Sequence, residues 1–559
     1  MKTPPSGLYI LILTTILIGC SSKRVLSVIT YNNLSIKKAE FTETERKNWQ
    51  HKDIIEDTVP GISLDKAYRD LIKSKRGETI VVAVIDTKLD RFHEDIANNI
   101  WLNTNEVPDN GIDDDQNGYV DDVHGWNFLG NLSGEDVAYQ NMESTRIIRK
   151  YTKKFLDVLP KDVPGHEKKE YELFQKAKRI HEREFSELKK TSDLIDSLNN
   201  IFWKDRDFLR DYLGVQKLSL PLLDSLLKVK PELKDQYNIV YRAIKYDVTD
   251  KKIKNQRDYY DARLYKAYNT DFNDREILEG DPEDVADLFY GNNKVAGDVP
   301  FQHAIGVAGV LAASRNNEIG IRGVSDNIKV MPVVMVASAG DEHDKDIVAA
   351  IRYAVDNGAR IINMSWSKEI CWHEDWIMDA LKYAEDNDVL VVTSAGNNNF
   401  HLDENDIFNY PDDTNSENNE VLSNFIKVGG SNLYLNENLK YGLSSYGQIE
   451  VDVFAPGENI YTTSSRNETG YQYASGTSFS APLVSGIAAL IWSHYPNLTA
   501  KDVKQIIMES GVEYDIMVNV PTPEDPDRQL PFNQLSKSGK IVNAYNALLM
   551  AADIAKAKK

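Results

Sequence analysis

The sequence predicts an α/β fold: a doubly wound, mainly parallel sheet with helices on both faces, interrupted by an all-helical insertion. Three observations carry this. Continuous apolar runs recur at Thr79–Asp86, Ile328–Val336, Arg360–Trp366, Val389–Thr393, Phe425–Val428 and Val451–Phe454, as expected of parallel strands buried on both faces. Between them lie stripes of helical period, Ile347, Ala350, Ile351, Ala354 and Val355, then Trp376, Ile377, Ala380, Leu381 and Ala384. The first stripe stops at Asn357-Gly358, a good helix end. Strand–helix–strand alternation at this spacing argues for an open sheet, whose functional groups collect at the carboxyl ends of the strands. Third, residues 129–290 break the alternation. Phe174, Ala177, Phe185, Leu188 and Ile195 recur there at helical multiples among dense Lys and Glu. The stretch from Pro221 to Ala267 is similar. Two to four helices packed as hairpins are expected, their charge forming a solvated surface.

In chain order, residues 1–19 come first. Lys2 precedes an apolar core, Leu8 to Ile18, too short to span a membrane in the ordinary way and shaped like a secretory signal. Leu17-Ile18-Gly19-Cys20 resembles the lipobox of bacterial lipoproteins. That resemblance implies cleavage before Cys20 and lipidation of its thiol and new amino group; two acyl chains suffice for stable anchoring. The alternatives are an uncleaved signal anchor and a plain signal peptide. Residues 20–57 are polar and mixed in charge, and read as a tether. Cys371 is the other of two cysteines, so no disulfide framework is available, and a buried free cysteine acts as a small hydrophobe.

With 42% hydrophobic and 27% charged residues, the chain can bury sizeable cores. Its formal net charge of -21 speaks against nucleic acid as a partner, because a phosphate backbone would be repelled.

The stretch Gln472–Ile491, Q-Y-A-S-G-T-S-F-S-A-P-L-V-S-G-I-A-A-L-I, runs from a small flexible turn into an apolar segment of helical length. A helix apolar on every side belongs in the middle of a large protein. Pro482 is expected within its first turn, which needs no amide donor. Ser478 then lies at the amino end, where free N–H groups favour developing negative charge. Such a serine is either a nucleophile or a helix cap.

A nucleophilic serine needs a base, the base an orienting carboxylate, and the forming oxyanion its donors. Asp86 ends the first apolar run. His303, in F-Q-H-A-I-G-V-A-G, opens a small-residue helix. Asn397, in V-V-T-S-A-G-N-N-N, ends another buried strand. Taken singly, each is accounted for by local hydrogen bonding. Together, in the order Asp86, His303, Asn397, Ser478, these segments resemble the subtilisin-like serine peptidases (subtilases), whose triad order is Asp, His, Ser. V-A-V-I-D-T-K-L-D resembles the family's aspartate motif, H-A-I-G-V-A-G its H-G-T-H-V-A-G, and S-G-T-S-F-S-A-P its G-T-S-M-A-A-P.

The resemblance implies a subtilisin-like sheet and an acyl-enzyme mechanism. In it Ser478 attacks the peptide carbonyl, His303 carries the proton, Asp86 orients the imidazole, and Asn397 with the Ser478 N–H holds the oxyanion. Ser365, Trp366 and Ser367 match the strand that pairs with an extended peptide substrate, a mode that reads main chain first. The domains are then a lipoprotein signal peptide (1–19), a tether (20–57), the first part of the peptidase domain (58–128), the insertion (129–290) and the second part (291–559). Three departures bear on rate. Lys88 replaces a glycine beside the catalytic aspartate, Ala304-Ile305-Gly306 replace Gly-Thr-His, and Ser367 replaces a glycine of the substrate strand. The expected function is a membrane-anchored serine endopeptidase. The alternative is a catalytically impaired subtilase-fold lipoprotein acting as a peptide-binding or scaffolding protein.

A second site is expected in N-G-I-D-D-D-Q-N-G-Y-V-D-D. Asp113, Asp115, Asn117 and Gly118 match the opening of a calcium loop and Asp121 fills its ninth position, with His124 at the twelfth in place of a bidentate Glu; the alternative is a solvated acidic turn. Related subtilases often bind structural Ca2+, which implies the same. No cofactor is needed for the chemistry. Partners are expected to be polypeptide substrates and, through Cys20, a membrane. Ser21, with no aspartate after Cys20, is compatible with lipoprotein sorting to an outer membrane.

Overall fold

The computed structural model describes residues 37, 39–73, 75–297, 302–404, 407–415, 417, 419–465 and 469–558. The signal peptide, Cys20 and the first part of the tether lie outside them. The strands, in chain order, are β1 (Ile80–Asp86), β2 (Trp126–Asn127), β3 (Ile328–Val334), β4 (Ile361–Met364), β5 (Leu390–Ser394), β6 (Phe425–Ser431), β7 (Val453–Pro456), β8 (Ile460–Thr463), β9 (Tyr471–Ala474), β10 (Val512–Glu513), β11 (Met517–Asn519), β12 (Gln529–Pro531) and β13 (Lys540–Ile541). Nine of them form one sheet in the order β10-β13-β7-β6-β5-β4-β1-β3-β2, and β8–β9 and β11–β12 pair separately. Every pairing in the large sheet is parallel except β10 with β13. The six apolar runs are β1 and β3–β7. The two-residue strands β2, β10 and β13 are too short to leave a periodic signal.

Residues 20–57, read as a tether, are not all loose chain: they form α1 (Glu43–Asn48), capped by a reciprocal Thr42–Glu45 box, and bury Trp49 and Ile54 before α2 (Leu64–Ala67). Five α-helices fill the insertion: α3 (Glu143–Phe155), α4 (Lys168–Leu213), α5 (Leu220–Val229), α6 (Lys234–Lys245) and α7 (Asp250–Ala262). This is one more than expected, and α4, with 46 residues, is about 70 Å long at 1.5 Å per residue. Two separate apolar clusters lie along it. One joins α3 and the first half of α4 to Ile370; the other holds Phe202, Leu209, Leu223, Leu226, Tyr237 and Val240.

The insertion's charge is not all solvated surface, which corrects the sequence reading. Glu143, Arg146 and Arg275 are buried where the insertion meets the sheet domain. Glu143 faces Lys368 Nζ at 3.2 Å, and Arg275 pairs with Asp346 at 2.8 Å. Buried charges survive only when paired, and a one-dimensional charge pattern does not reveal partners 71–225 residues away.

The remaining helices are α8 (Ala304–Ala312), α9 (Asp344–Asp356), α10 (Glu374–Asp386), α11 (Thr477–His494), α12 (Ala500–Ser510) and α13 (Ala544–Ala557). Alternation along β1 assigns the two faces. Val82 and Val84 join the cluster that contains α8 and α11, whereas Ala83 and Ile85 join the one that contains α9 and α10. Asp86 has the parity of Val82 and Val84, so it faces the side of α8 and α11. Helix α11 is buried along nearly its whole length. Pro482 is its sixth residue, beyond the first turn where the sequence reading put it.

Candidate active site

Asp86, His303, Asn397 and Ser478 come from four elements. Asp86 closes β1, His303 is the residue before α8, Asn397 follows β5, and Ser478 is the second residue of α11. β1 and β4 are neighbours inside the sheet, and their carboxyl ends lie where an open α/β fold leaves its crevice.

The His303 Nδ1 lies 2.8 Å from Asp86 Oδ2 and 3.0 Å from Oδ1. With Nδ1 donating to the carboxylate, the neutral ring carries its lone pair on Nε2, the nitrogen that can take up a proton. Thr87 completes this corner. Its N–H donates to Asp86 Oδ1, and its Oγ1 accepts from the N–H groups of both His303 and Ala304 at 3.1 Å, so one residue supports both the carboxylate and the start of α8. Burial pushes the imidazole pKa down, but the charge and hydrogen bond of Asp86 outweigh it and hold the pKa above its ordinary value.

The Asn397 Oδ1 accepts from the Thr477 N–H at 2.9 Å and from Thr477 Oγ1 at 3.2 Å. This anchors the amide by its oxygen. Among the described residues no protein acceptor takes Asn397 Nδ2 or the Ser478 N–H. The Ser478 N–H belongs to the first turn of α11, where amides lack intrahelical partners, and the Asn397 amide is held against that turn through Thr477. Gly476, at φ +151° and ψ 155°, adopts a backbone conformation open essentially to glycine alone. The His303 ring lies 5.8 Å, centroid to centroid, from Phe479. Ser478 Oγ donates to the Ser365 carbonyl at 3.0 Å.

Ser365, Trp366 and Ser367 follow β4 directly. Among the described residues, no protein group bonds to the N–H or C=O of Ser367, so this piece of backbone can pair with another chain. Trp366 is turned inward; its Nε1 donates to the carbonyl of Ile85 at 3.0 Å, bracing the end of β1 from below. Lys88, two residues after Asp86, sends its ammonium to Asp136 Oδ2 at 2.6 Å. Cys371 is buried and unpaired by disulfide, and burial pushes its thiol well up.

The acidic loop is only partly assembled as expected. Asp113 and Asp115 come together with Glu106, their carboxylate oxygens within 4.8 Å of one another. Asp121 turns aside to accept from the N–H groups of Asn110 and Gly111. Asn117 Oδ1 accepts from Tyr119, and His124 faces the Trp101 carbonyl. Glu106, seven residues upstream of Asp113, escaped the sequence reading because it stands outside the loop's spacing. Three converging carboxylates form an all-oxygen set suited to a hard cation such as Ca2+.

The sequence profile of the Subtilase family matches residues 230–534, a span that takes in His303, Asn397 and Ser478 and leaves Asp86 outside. A thermophilic serine proteinase of Bacillus sp. (strain AK1) is 34% identical over 239 residues, covering 42% of this chain and 49% of that one. Subtilisin DY of Bacillus licheniformis is 34% identical over 202 residues, covering 36% of this chain and 67% of its own length. Subtilisin-like protease 1 of Plasmodium berghei (strain Anka) is 32% identical over 267 residues, covering 45% of this chain and 43% of its own length. The chain belongs to the subtilase family. It spans about half the length of the Bacillus proteinase and of the Plasmodium protease.

Proposed function

We propose that this chain is a membrane-tethered serine endopeptidase. An extended polypeptide pairs by its main chain with Ser365, Trp366 and Ser367, presenting a carbonyl to Ser478 Oγ. As Oγ attacks, its proton passes to His303 Nε2, and Asp86 steadies the imidazolium through Nδ1. Asn397 Nδ2 and the Ser478 N–H receive the oxyanion. The tetrahedral adduct collapses as the leaving amine takes the proton from His303, leaving an ester on Ser478. Water, deprotonated by the same nitrogen, hydrolyses that ester and restores the hydroxyl.

The observation that carries this reading is the pairing of His303 Nδ1 with Asp86 at 2.8 Å, which fixes the tautomer a base needs. Ser478→Ala should abolish hydrolysis of an unfolded substrate such as casein while leaving the melting temperature in place. Undiminished hydrolysis by that variant would overturn the assignment.

Two further parts belong to the same proposal. Cys20 carries the lipid anchor, in the outer membrane of a two-membrane envelope; cellular incorporation of labelled palmitate should be lost in Cys20→Ala and otherwise retained. Glu106, Asp113 and Asp115 hold a structural Ca2+, which relieves the mutual repulsion of their carboxylates. A chelator should then lower the melting temperature of the parent, and Glu106→Gln should remove that response.

A further inference from the structure

The Ser478 carbonyl lacks the donor that an α-helix would normally give it. Four residues on stands Pro482, whose ring nitrogen has no hydrogen and whose ring crowds the carbonyl one turn back. The missing donor comes from another element: Ser365 Oγ donates to the Ser478 carbonyl at 2.9 Å. Ser365 Oγ in turn accepts from Asn363 Nδ2 at 2.9 Å, and Asn363 Oδ1 accepts from Ser485 Oγ at 2.9 Å. Ser485 lies on α11 itself, about two turns beyond Ser478. Asn363, Ser365 and Ser485 are all buried. In the reverse direction, Ser478 Oγ donates to the Ser365 carbonyl. Ser365 therefore grips Ser478 at both its backbone carbonyl and its side chain, and a relay of three buried polar groups returns to the same helix.

We propose that Ser365 is a positioning residue for the nucleophile, beyond presenting its backbone to substrate. Its hydroxyl replaces the helix hydrogen bond that Pro482 deletes, and so sets the first turn of α11. Its carbonyl holds the Ser478 hydroxyl in one rotamer at rest. The assignment rests on Ser478 being the nucleophile. Proline at 482 and a hydroxyl at 365 act as one device: the first opens the turn and the second closes it from the strand side.

The test is a double-mutant cycle with a peptide substrate, reading kcat and KM separately. Ser365→Ala should lower kcat about tenfold, the rate equivalent of one unsatisfied buried acceptor, with KM little changed. Pro482→Ala restores an amide donor to the Ser478 carbonyl. In that background Ser365→Ala should cost only about twofold to threefold, because the acceptor is already satisfied. An equal loss of kcat in both backgrounds, or a loss confined to KM, would overturn the positioning role. A folded parent that hydrolyses no peptide would overturn the reading of Ser478 and the positioning role with it; an active parent with uncoupled variants overturns the positioning role alone.

Discussion

Phe479 lies against the face that Gly306 leaves bare: a Cβ on Gly306 would meet Phe479 Cε1 at 3.1 Å. Gly306 stands where the motif it resembles carries His, and Phe479 where the related motif carries Met. The two departures compensate in volume, keep α8 close to α11, and place the His303 ring beside the residue that follows Ser478. Restoring the motif at one position only should therefore harm the fold. Gly306→His should cost about 1–3 kcal/mol, the usual penalty for overpacking a filled core, and adding Phe479→Met should recover part of it, as read from urea unfolding midpoints.

The ionisation of His303 gives two pH signatures. A base whose pKa stands above its ordinary value puts the acid limb of the kcat/KM profile above about 6.5, the unperturbed imidazole value. Asp86→Asn should lower that limb and cut kcat by something on the order of 10⁴-fold, as loss of the orienting carboxylate does in trypsin-like proteases. The stability sign is equally definite. With the folded pKa above the unfolded one, the stabilisation is full below about pH 6.5 and is lost as pH rises through the folded value. The stability gap between parent and Asp86→Asn should be widest in mild acid and narrow towards alkaline pH.

The insertion divides into a welded half and a separable half. Lys368 directly follows Ser367, has a fully buried side chain, and reaches Asp344 as well as Glu143 on α3. Lys368→Met leaves those carboxylates without their ammonium and should cost about 3–5 kcal/mol. The far end of α4 packs with α5 and α6 in a core of its own. A chain lacking residues 199–254, closed by a short loop near the Asp196–Arg257 ion pair, should keep its melting temperature and its hydrolysis of casein. Activity lost with the fold intact would instead mark the far half as part of the substrate site.

Asn397 is held by its oxygen, which leaves its nitrogen as a preset donor. Asn397→Leu should lower kcat by roughly 10²–10³-fold with KM nearly unchanged, since the donor acts on charge that develops only in the transition state. A loss confined to KM would make it a substrate-binding residue.

What was legible in the sequence follows from what burial imposes on composition. Parallel strands covered on both faces must be apolar throughout, so β1 and β3–β7 stand out, and Asp86, which ends such a run, stands out with them. Ser478 shows itself through the wholly apolar helix that it opens. Contacts between distant polar groups leave no such trace. Asp136 taking the ammonium of Lys88, Glu106 joining Asp113 and Asp115, and Ser365 filling the gap left by Pro482 each pair residues whose spacing carries no period. Glu143, Arg146 and Arg275 look like solvated helix charge until their partners arrive from elsewhere in the chain.

The most direct measurement is mass spectrometry of the intact and digested protein after exposure to a fluorophosphonate, which reacts only with an activated hydroxyl. One adduct per chain is expected, located on Ser478, formed far more slowly in His303→Ala and absent from Ser478→Ala. A folded parent with no adduct at Ser478, or one labelled at the same rate without the imidazole, would contradict it.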